Sequence, residues 1–318
     1  MSKGDPIVIA HRGASGYLPE HSLESKAMAH AMGADFIEQD VVLTSDGVPI
    51  VLHDINLEST TDVARLFPER ARADGRYYAL DFSLQEIKEL SLHERSFTND
   101  NGEEQAYYPD RFPIDRGSFS LPTLEEEINL IHGLDLSRNK KTGLYVELKA
   151  PLWHQQQDYD IAAAVLGVLT HTGYGNKVDQ VFLQCFNDQT LMALREVTPL
   201  PLIQLIGEND WCEDGGADYN AMRTTRGIAQ VAKYAQGIGP WIPQVLTTTD
   251  AGFEPTPLTA LAHEHGLQVH PYTLRIDELP EGTTGAEELH RALFEQAGVD
   301  GLFTDFPDIT RRYLQAMQ

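Results

Sequence analysis

Three observations predict an α/β chain folded as a TIM-type (β/α)8 barrel with an insertion after the second strand. Short β-rich runs alternate with amphipathic helical stretches along the sequence. The alternation gives about eight strand–helix units, the number that closes a parallel barrel. The length of 318 residues, 42% of them hydrophobic, suffices for one barrel-sized core.

Ile7-Val8-Ile9-Ala10 reads as a short buried strand. Ser22 caps a helix running from Leu23 to Met32. Asp35 to Leu43 is the second strand, and Val48 to Leu52 extends it after an Asp46-Gly47 turn. Leu144 to Lys149 is the third. Val181 to Gln184, Leu202 to Ile206, Gly237 to Gly239, Leu267 to Tyr272 and Gly301 to Thr304 supply the rest. Helical stretches fall at 123–134, 158–172, 188–196, 223–235, 256–265, 285–297 and 307–316. Residues 55–121 break the alternation. They are polar, hold Arg65, Arg70, Arg72 and Arg76, and contain a helical stretch at 83–92. They read as an insertion in one domain spanning 1–318. The segment is too long for a plain βα connection. It is expected to start at the barrel mouth and to shape the pocket there, without supplying the reacting groups.

The chain has 24 basic and 48 acidic residues, a net charge of −24, which argues against nucleic acid and anionic membrane as partners. No run of about 18 apolar residues offers a membrane-inserting helix. Met1 to Ile9 is short and polar, so no secretory signal is read there. Cys185 and Cys212 show neither a disulfide framework nor metal-type spacing and read as free thiols.

The candidate chemistry centres on Glu38-Gln39-Asp40. Carboxylates at i and i+2 of a strand share a face and repel each other unless a cation lies between them. Their flanks Phe36, Ile37, Val41 and Val42 are apolar, so both faces of the strand look buried. Buried carboxylates need a metal or a basic partner, and a hard divalent ion suits oxygen ligands. Glu147 and Lys149 repeat the spacing on the third strand, completing a three-carboxylate metal site with a lysine beside it. His11 and His53 add groups that titrate near neutrality, and Arg12 adds a planar anion-binding fork. Gln184, Phe186, Trp241, Tyr272 and Asp305 fall at predicted strand ends. The aromatic residues among them suit an apolar pocket wall. Asp305 either orients a basic residue or caps the last helix.

His11-Arg12-Gly13-Ala14 with Pro19-Glu20, Glu38-Gln39-Asp40, Asp46-Gly47, His53-Asp54, Glu147-Leu148-Lys149 and Thr304-Asp305-Phe306-Pro307 together closely resemble the glycerophosphodiester phosphodiesterases. Leu183-Gln184-Cys185-Phe186, Val269-His270-Pro271-Tyr272-Thr273 and parts of the insertion extend the likeness over nearly the whole chain, toward the bacterial periplasmic kind. The resemblance implies a metal-dependent hydrolase that splits a small-molecule glycerophosphodiester into sn-glycerol 3-phosphate and an alcohol. It implies Glu38, Asp40 and Glu147 as ligands of one divalent ion, calcium before magnesium. It implies His11 and His53 as the acid–base pair, with His11 favoured as base, and Arg12 and Lys149 as phosphate ligands. Gln184, Phe186 and Tyr272 would complete the substrate contacts. The attacking oxygen is water or the substrate's own glycerol 2-hydroxyl. The implied location is the periplasm, with a signal removed; the alternative is the cytoplasm. Two departures stand out. His21-Ser22 replaces the Asn-Thr of many members, and Tyr272 stands where many carry tryptophan. The competing functions are a lysophospholipase D-type lipid phosphodiesterase and a non-catalytic phosphodiester-binding protein.

Overall fold

Each barrel strand places its odd and even residues on opposite sides, and both sides are apolar at the base. The strands are β1 (Ile7–Ala10), β2 (Phe36–Leu43), β3 (Gly143–Leu148), β4 (Val181–Cys185), β5 (Leu202–Ile206), β6 (Gly237–Pro240), β7 (Gln268–Val269) and β8 (Gly301–Thr304). All pair in parallel, in the spatial order β7-β6-β5-β4-β3-β2-β1-β8. Main-chain hydrogen bonds bridge the remaining seam. Asp300 N–H reaches Val269 O at 3.0 Å, Phe303 N–H reaches Pro271 O at 3.0 Å, and Leu274 N–H reaches Phe303 O at 2.8 Å. The computed structural model describes residues 5–249, 252–280 and 282–317.

Eight helices accompany the strands: α1 (Leu23–Met32), α2 (Leu124–Arg138), α3 (Ile161–His171), α4 (Asp188–Val197), α5 (Thr225–Val231), α6 (Leu258–Glu264), α7 (Ala286–Arg291) and α8 (Pro307–Ala316). Ser22 caps α1 as expected, its hydroxyl accepting from Ser25 N–H. Thr123 and Glu126 form a reciprocal capping box at the start of α2. The outward side chains of the strands, such as Val8, Ile37, Val146 and Leu302, join the large core shared with the helices. The inward ones, Ile9, Tyr145, Ile203 and Phe303, pack with Phe36 and Phe182 into an aromatic floor. A Cβ at Gly143 would lie 2.2 Å from the Phe36 ring, so only glycine admits that ring to the floor.

One step of two residues along each inward row leads from floor to mouth. Phe36 is followed by Glu38 and Asp40, Tyr145 by Glu147, Phe182 by Gln184, Ile9 by His11, and Phe303 by Asp305. The candidate residues therefore stand at the C-terminal ends of the strands, above an apolar base.

Several expected elements differ. Pro49–Val51 does not prolong β2. It folds back antiparallel against it, with Val51 opposite Val41. Leu52 N–H then donates to Asp40 O at 2.9 Å, so the hairpin returns His53 to the level of the acidic pair. The helical stretch at 83–92 shrinks to Leu84–Ile87, closed by a capping box from Ser83. The stretches at 223–235 and 285–297 shorten to Thr225–Val231 and Ala286–Arg291, the latter passing into a π-turn over Ala292–Ala297. Of the expected strand 267–272, only Gln268–Val269 is regular, with Tyr272 added by a single bridge to Trp241. The insertion is less polar than its sequence suggests. Leu57, Val63, Phe82, Ile87 and Leu121 form a second core together with Val42, Ile50 and Leu52 of the hairpin. Both cysteines are free thiols, Cys185 buried and Cys212 exposed. Thr123→Ala should remove the α2 cap and lower unfolding free energy by about 1 kcal/mol in a urea titration. An unchanged midpoint would deny the cap any energetic role.

Candidate active site

Of the residues singled out in the sequence, His11, Arg12, Glu38, Asp40, His53, Glu147, Lys149, Gln184, Phe186 and Tyr272 line one cleft of about 240 Å³ at the barrel mouth, whereas Asp305 stands behind it. Trp241 lines it too. Sequence reasoning missed Trp211, Glu213 and Arg275 on its walls. These lie on loops whose patterns carry no periodic signal. No residue of 55–121 lines the cleft among the described residues, so the pocket wall is not built by the insertion, contrary to expectation.

The acidic centre is set by strand register. Asp40 lies opposite Glu147, and Glu147 opposite Gln184. Glu38, Asp40 and Glu147 each bring a carboxylate oxygen within 4.8 Å of the others. Oxygens no farther apart than that let one hard cation, with ligand distances of about 2.0–2.6 Å, reach all three. Two further observations favour a cation. Asp40 Oδ1 and Gln184 Oε1 are buried without a hydrogen-bond partner. Burial, then Asp40 and Glu147, push the Glu38 carboxyl well above its ordinary range. Burial and Asp40 push Glu147 up to about 8 against the opposing pull of Lys149. Asp40 keeps its charge despite burial, because Lys149, His21 and His53 face it.

Each flanking imidazole is held at one nitrogen. His11 Nδ1 bonds Asp305 Oδ1 at 2.6 Å, and its Nε2 lies 3.7 Å from Glu38 Oε2. His53 Nδ1 bonds Asp54 Oδ1 at 2.6 Å, and its Nε2 lies 3.3 Å from Lys149 Nζ. An aspartate at Nδ1 fixes the tautomer and turns Nε2, the nitrogen that can take or give a proton, toward the acidic centre. Burial and the Arg12 charge press both imidazoles down to about 4, with the aspartates opposing. Asp305 thus orients a basic residue; the cap position of α8 is Phe306, without a side-chain bond.

The cations are tethered as tightly. Arg12 takes a left-handed backbone at φ 57°, which turns its N–H onto Glu38 Oε2 at 2.9 Å. Its guanidinium reaches both oxygens of Glu20, at 3.0 and 3.1 Å. Lys149 Nζ bonds Glu147 Oε1 at 2.7 Å. Behind Asp40 stands His21, whose Nε2 is 2.8 Å from Asp40 Oδ2. Burial and Lys26 lower His21 to about 3, so it is neutral, donating to Asp40 and accepting from Lys26 at 3.2 Å. Lys26 is fully buried and pairs with Glu127 at 3.0 Å and with the main-chain oxygen of Glu38.

The insertion enters this network from behind. Arg95 Nη1 bonds Asp54 Oδ2 at 2.7 Å and also grips Glu20, at 2.7 and 3.1 Å. Arg111 bonds Asp305 Oδ2 at 2.8 Å and Asp277 at 2.8 and 3.1 Å. Both aspartates that hold the imidazoles are therefore held in turn by an arginine from 55–121.

A parallel barrel with three carboxylates, two aspartate-held histidines and two cations at its mouth defines a class of phosphoryl-cleaving hydrolases. The chain belongs to the glycerophosphoryl diester phosphodiesterase family, whose model matches residues 11–309. It is 42% identical to a glycerophosphodiester phosphodiesterase of Haemophilus influenzae, over 99% of this chain and 92% of the relative. A protein of the same description from Treponema pallidum is 36% identical, over 97% of this chain and 91% of its own length. A crystal structure from Silicibacter pomeroyi, provisionally described as a glycerophosphoryl diester phosphodiesterase, superposes with a TM-score of 0.74 at 27% identity, covering 99% of this chain and 95% of that one.

The raised Glu147 carboxyl sets a pH dependence. With no cation, its neutral form is the stable one in the fold. The stabilisation is complete below the ordinary carboxyl range and is lost as pH rises through about 8. A divalent ion replaces the proton, so its apparent affinity should rise between pH 6 and pH 8. Calcium titrations followed by Tm should show the larger gain at pH 8, removed by chelator and by Glu147→Gln. Equal gains at both pH values would separate the carboxyl from ion binding.

Proposed function

We propose that this mouth binds the phosphodiester of a small glycerophosphodiester and hydrolyses it to sn-glycerol 3-phosphate and an alcohol. The observation that carries the reading is the pair of Asp-held imidazoles flanking the three-carboxylate centre, with no catalytic group missing. That completeness speaks against a merely phosphodiester-binding protein. Glu38, Asp40 and Glu147 would hold the divalent ion, calcium before magnesium by the family resemblance. When bound, such an ion draws charge from the nonbridging phosphate oxygens and favours attack at phosphorus.

The chain's own groups do the rest. Arg12 and Lys149 bind the phosphate anion, and their tethers to Glu20 and Glu147 keep both side chains aimed before substrate arrives. Such preorganisation lowers the reorganisation needed in the transition state. His11 Nε2 takes the proton of the attacking oxygen. The bond from phosphorus to the alcohol oxygen breaks, and His53 Nε2 gives that oxygen a proton. Burial, with Arg12 and Lys149, holds His53 unprotonated. A bound phosphodiester anion offsets those two charges and raises the imidazole toward the protonated form that an acid needs. A periplasmic location belongs to the same proposal, and fractionation of the native cell checks it.

His11→Ala and His53→Ala should each lower kcat by roughly 10²–10⁴-fold while leaving the melting curve close to wild type. Near-normal kcat in either variant would remove that histidine from the chemistry. Arg111→Ala should lower kcat by about tenfold or more with little change in KM, because it loosens Asp305 and through it His11. Added guanidinium should restore part of the loss. A loss that tracks only the amount of folded protein, with kcat per folded molecule unchanged and no rescue, would mean that Arg111 acts only on folding.

A further inference from the structure

We propose that Arg95 is a positioning residue that ties the phosphate anchor Arg12 to the acid His53, so that anion binding and proton transfer depend on one guanidinium of the insertion. The inference rests on the hydrolytic reading above. Arg12 follows β1 and His53 follows the returning strand of the hairpin, and no hydrogen bond joins the two among the described residues. Between them runs a row of alternating charge that ends on the imidazole: Arg12, Glu20, Arg95 and Asp54, then His53. Arg12 Nη1 donates to both oxygens of Glu20, at 3.0 and 3.1 Å. Arg95 grips the same carboxylate, with Nη2 2.7 Å from Oε1 and Nε 3.1 Å from Oε2. Its Nη1 donates to Asp54 Oδ2 at 2.7 Å, and the other oxygen of Asp54 meets His53 Nδ1 at 2.6 Å.

The place suits arginine and no other side chain. The Nε–Nη2 edge of a guanidinium meets a carboxylate as a two-point fork, and Nη1 remains for a second acid. A lysine carries a single point charge and cannot reproduce the fork. The main chain delivers Arg95 to this spot. His93 N–H donates to Thr60 O and Ser96 N–H to Ser59 O, both at 2.8 Å, while Arg95 O accepts from Tyr107 N–H at 2.8 Å. The segment is thus fastened, on either side of Arg95, to the chain that runs on from Asp54. The row is also sheltered, with side-chain exposures of 12% at Arg12, 8% at Glu20 and 18% at Arg95. Charges so placed are weakly screened, and one that loses its partner is costly.

Removing Arg95 opens the row at its centre. Glu20 then faces Arg12 alone, without the fork that fixes its plane, and Arg12 loses its aim. Asp54 keeps only the Ser59 hydroxyl, at 2.7 Å, besides His53 itself, and the hold on Nδ1 loosens. Arg111 provides the contrast. It serves Asp305 and Asp277 and bonds neither Arg12 nor Lys149, so its loss reaches His11 and leaves the phosphate anchors in place.

The calcium-loaded full-length chain should be compared with its Arg95→Ala, Arg95→Lys and Arg111→Ala variants. In Arg95→Ala, kcat on sn-glycero-3-phosphocholine should fall by about tenfold or more, with partial recovery in added guanidinium. The calorimetric Kd of sn-glycerol 3-phosphate should weaken several-fold in the same variant and stay unchanged in Arg111→Ala. Calcium affinity should stay at the wild-type value, because Arg95 touches none of the three carboxylates. In histidine-labelled protein the 15N signals of His53, assigned by their loss in His53→Gln, should report the Nδ1–H tautomer in the wild type and a mixture in Arg95→Ala. Arg95→Lys keeps the charge and should preserve at most one of the two functions. An Arg95→Ala protein that loses only product binding or only the tautomer would overturn the tie, and so would an Arg95→Lys protein that keeps both. Should Arg95→Ala fail to fold, the lysine variant decides by the same two readouts. Failure of the wild type to release glycerol 3-phosphate would instead strike the hydrolytic reading; product Kd and tautomer, measured without turnover, would still judge Arg95.

Discussion

Three carboxylates brought within a few ångströms of one another in a buried barrel mouth repel strongly, and most of what surrounds them answers that repulsion. Lys149 lies against Glu147, Arg12 spans Glu20 and Asp40, and His21 donates to Asp40. Lys26, wholly buried, stands behind the same strand against Glu127. Taking so many charges out of water is costly unless each finds partners in good geometry. The barrel supplies those partners from several elements at once. Asp40 Oδ1, buried without a hydrogen-bond partner, and the raised Glu38 and Glu147 carboxyls suit a hard cation.

The same arrangement separates two kinds of work. The strand ends carry the groups that would touch substrate, and the insertion carries none of them. Its arginines instead hold the aspartates that hold the imidazoles. A carboxylate with no counter-charge in so dry a place would tend to take a proton, and then could not fix an imidazole tautomer. Arg111 and Arg275 keep Asp305 ionised well below the ordinary carboxyl range; His53 and Arg95 do the same for Asp54. Charge at one remove thus sets the hydrogen-bonding identity of the residue in contact.

What sequence revealed was whatever has short period. The i, i+2 spacing of Glu38 and Asp40 put them on one face, the Ser22 cap located α1, and the apolar runs located the strands. Longer-range facts were illegible. Asp40 meets Glu147 through a register that no local pattern encodes. His53 reaches the centre through a backward hairpin rather than an extended strand, a distinction carried by pairing and not by composition. Arg95 and Arg111 sit in a stretch whose charges look like a solvated surface, and only their partners, 75 and 194 residues away, give them meaning. His21 was visible as a departure from a familiar tetrapeptide, yet its bond to Asp40 depends on the left-handed turn at its own backbone, φ 61°. The wall of Trp211 and Glu213 lies on an irregular loop, where alternation has nothing to report.

The reach of Arg111 also bears on how the molecule comes to be active. Its partners Asp277 and Asp305 belong to the closing seam, among the last parts of the chain to be made, while His11 directly follows the first strand. Contacts of such sequence separation form late, after the intervening chain has paid its ordering entropy. A nascent or half-closed barrel can therefore carry all its carboxylates and still lack an oriented His11. Hydrolytic competence becomes a certificate of completed folding, issued when the two ends of the polypeptide meet.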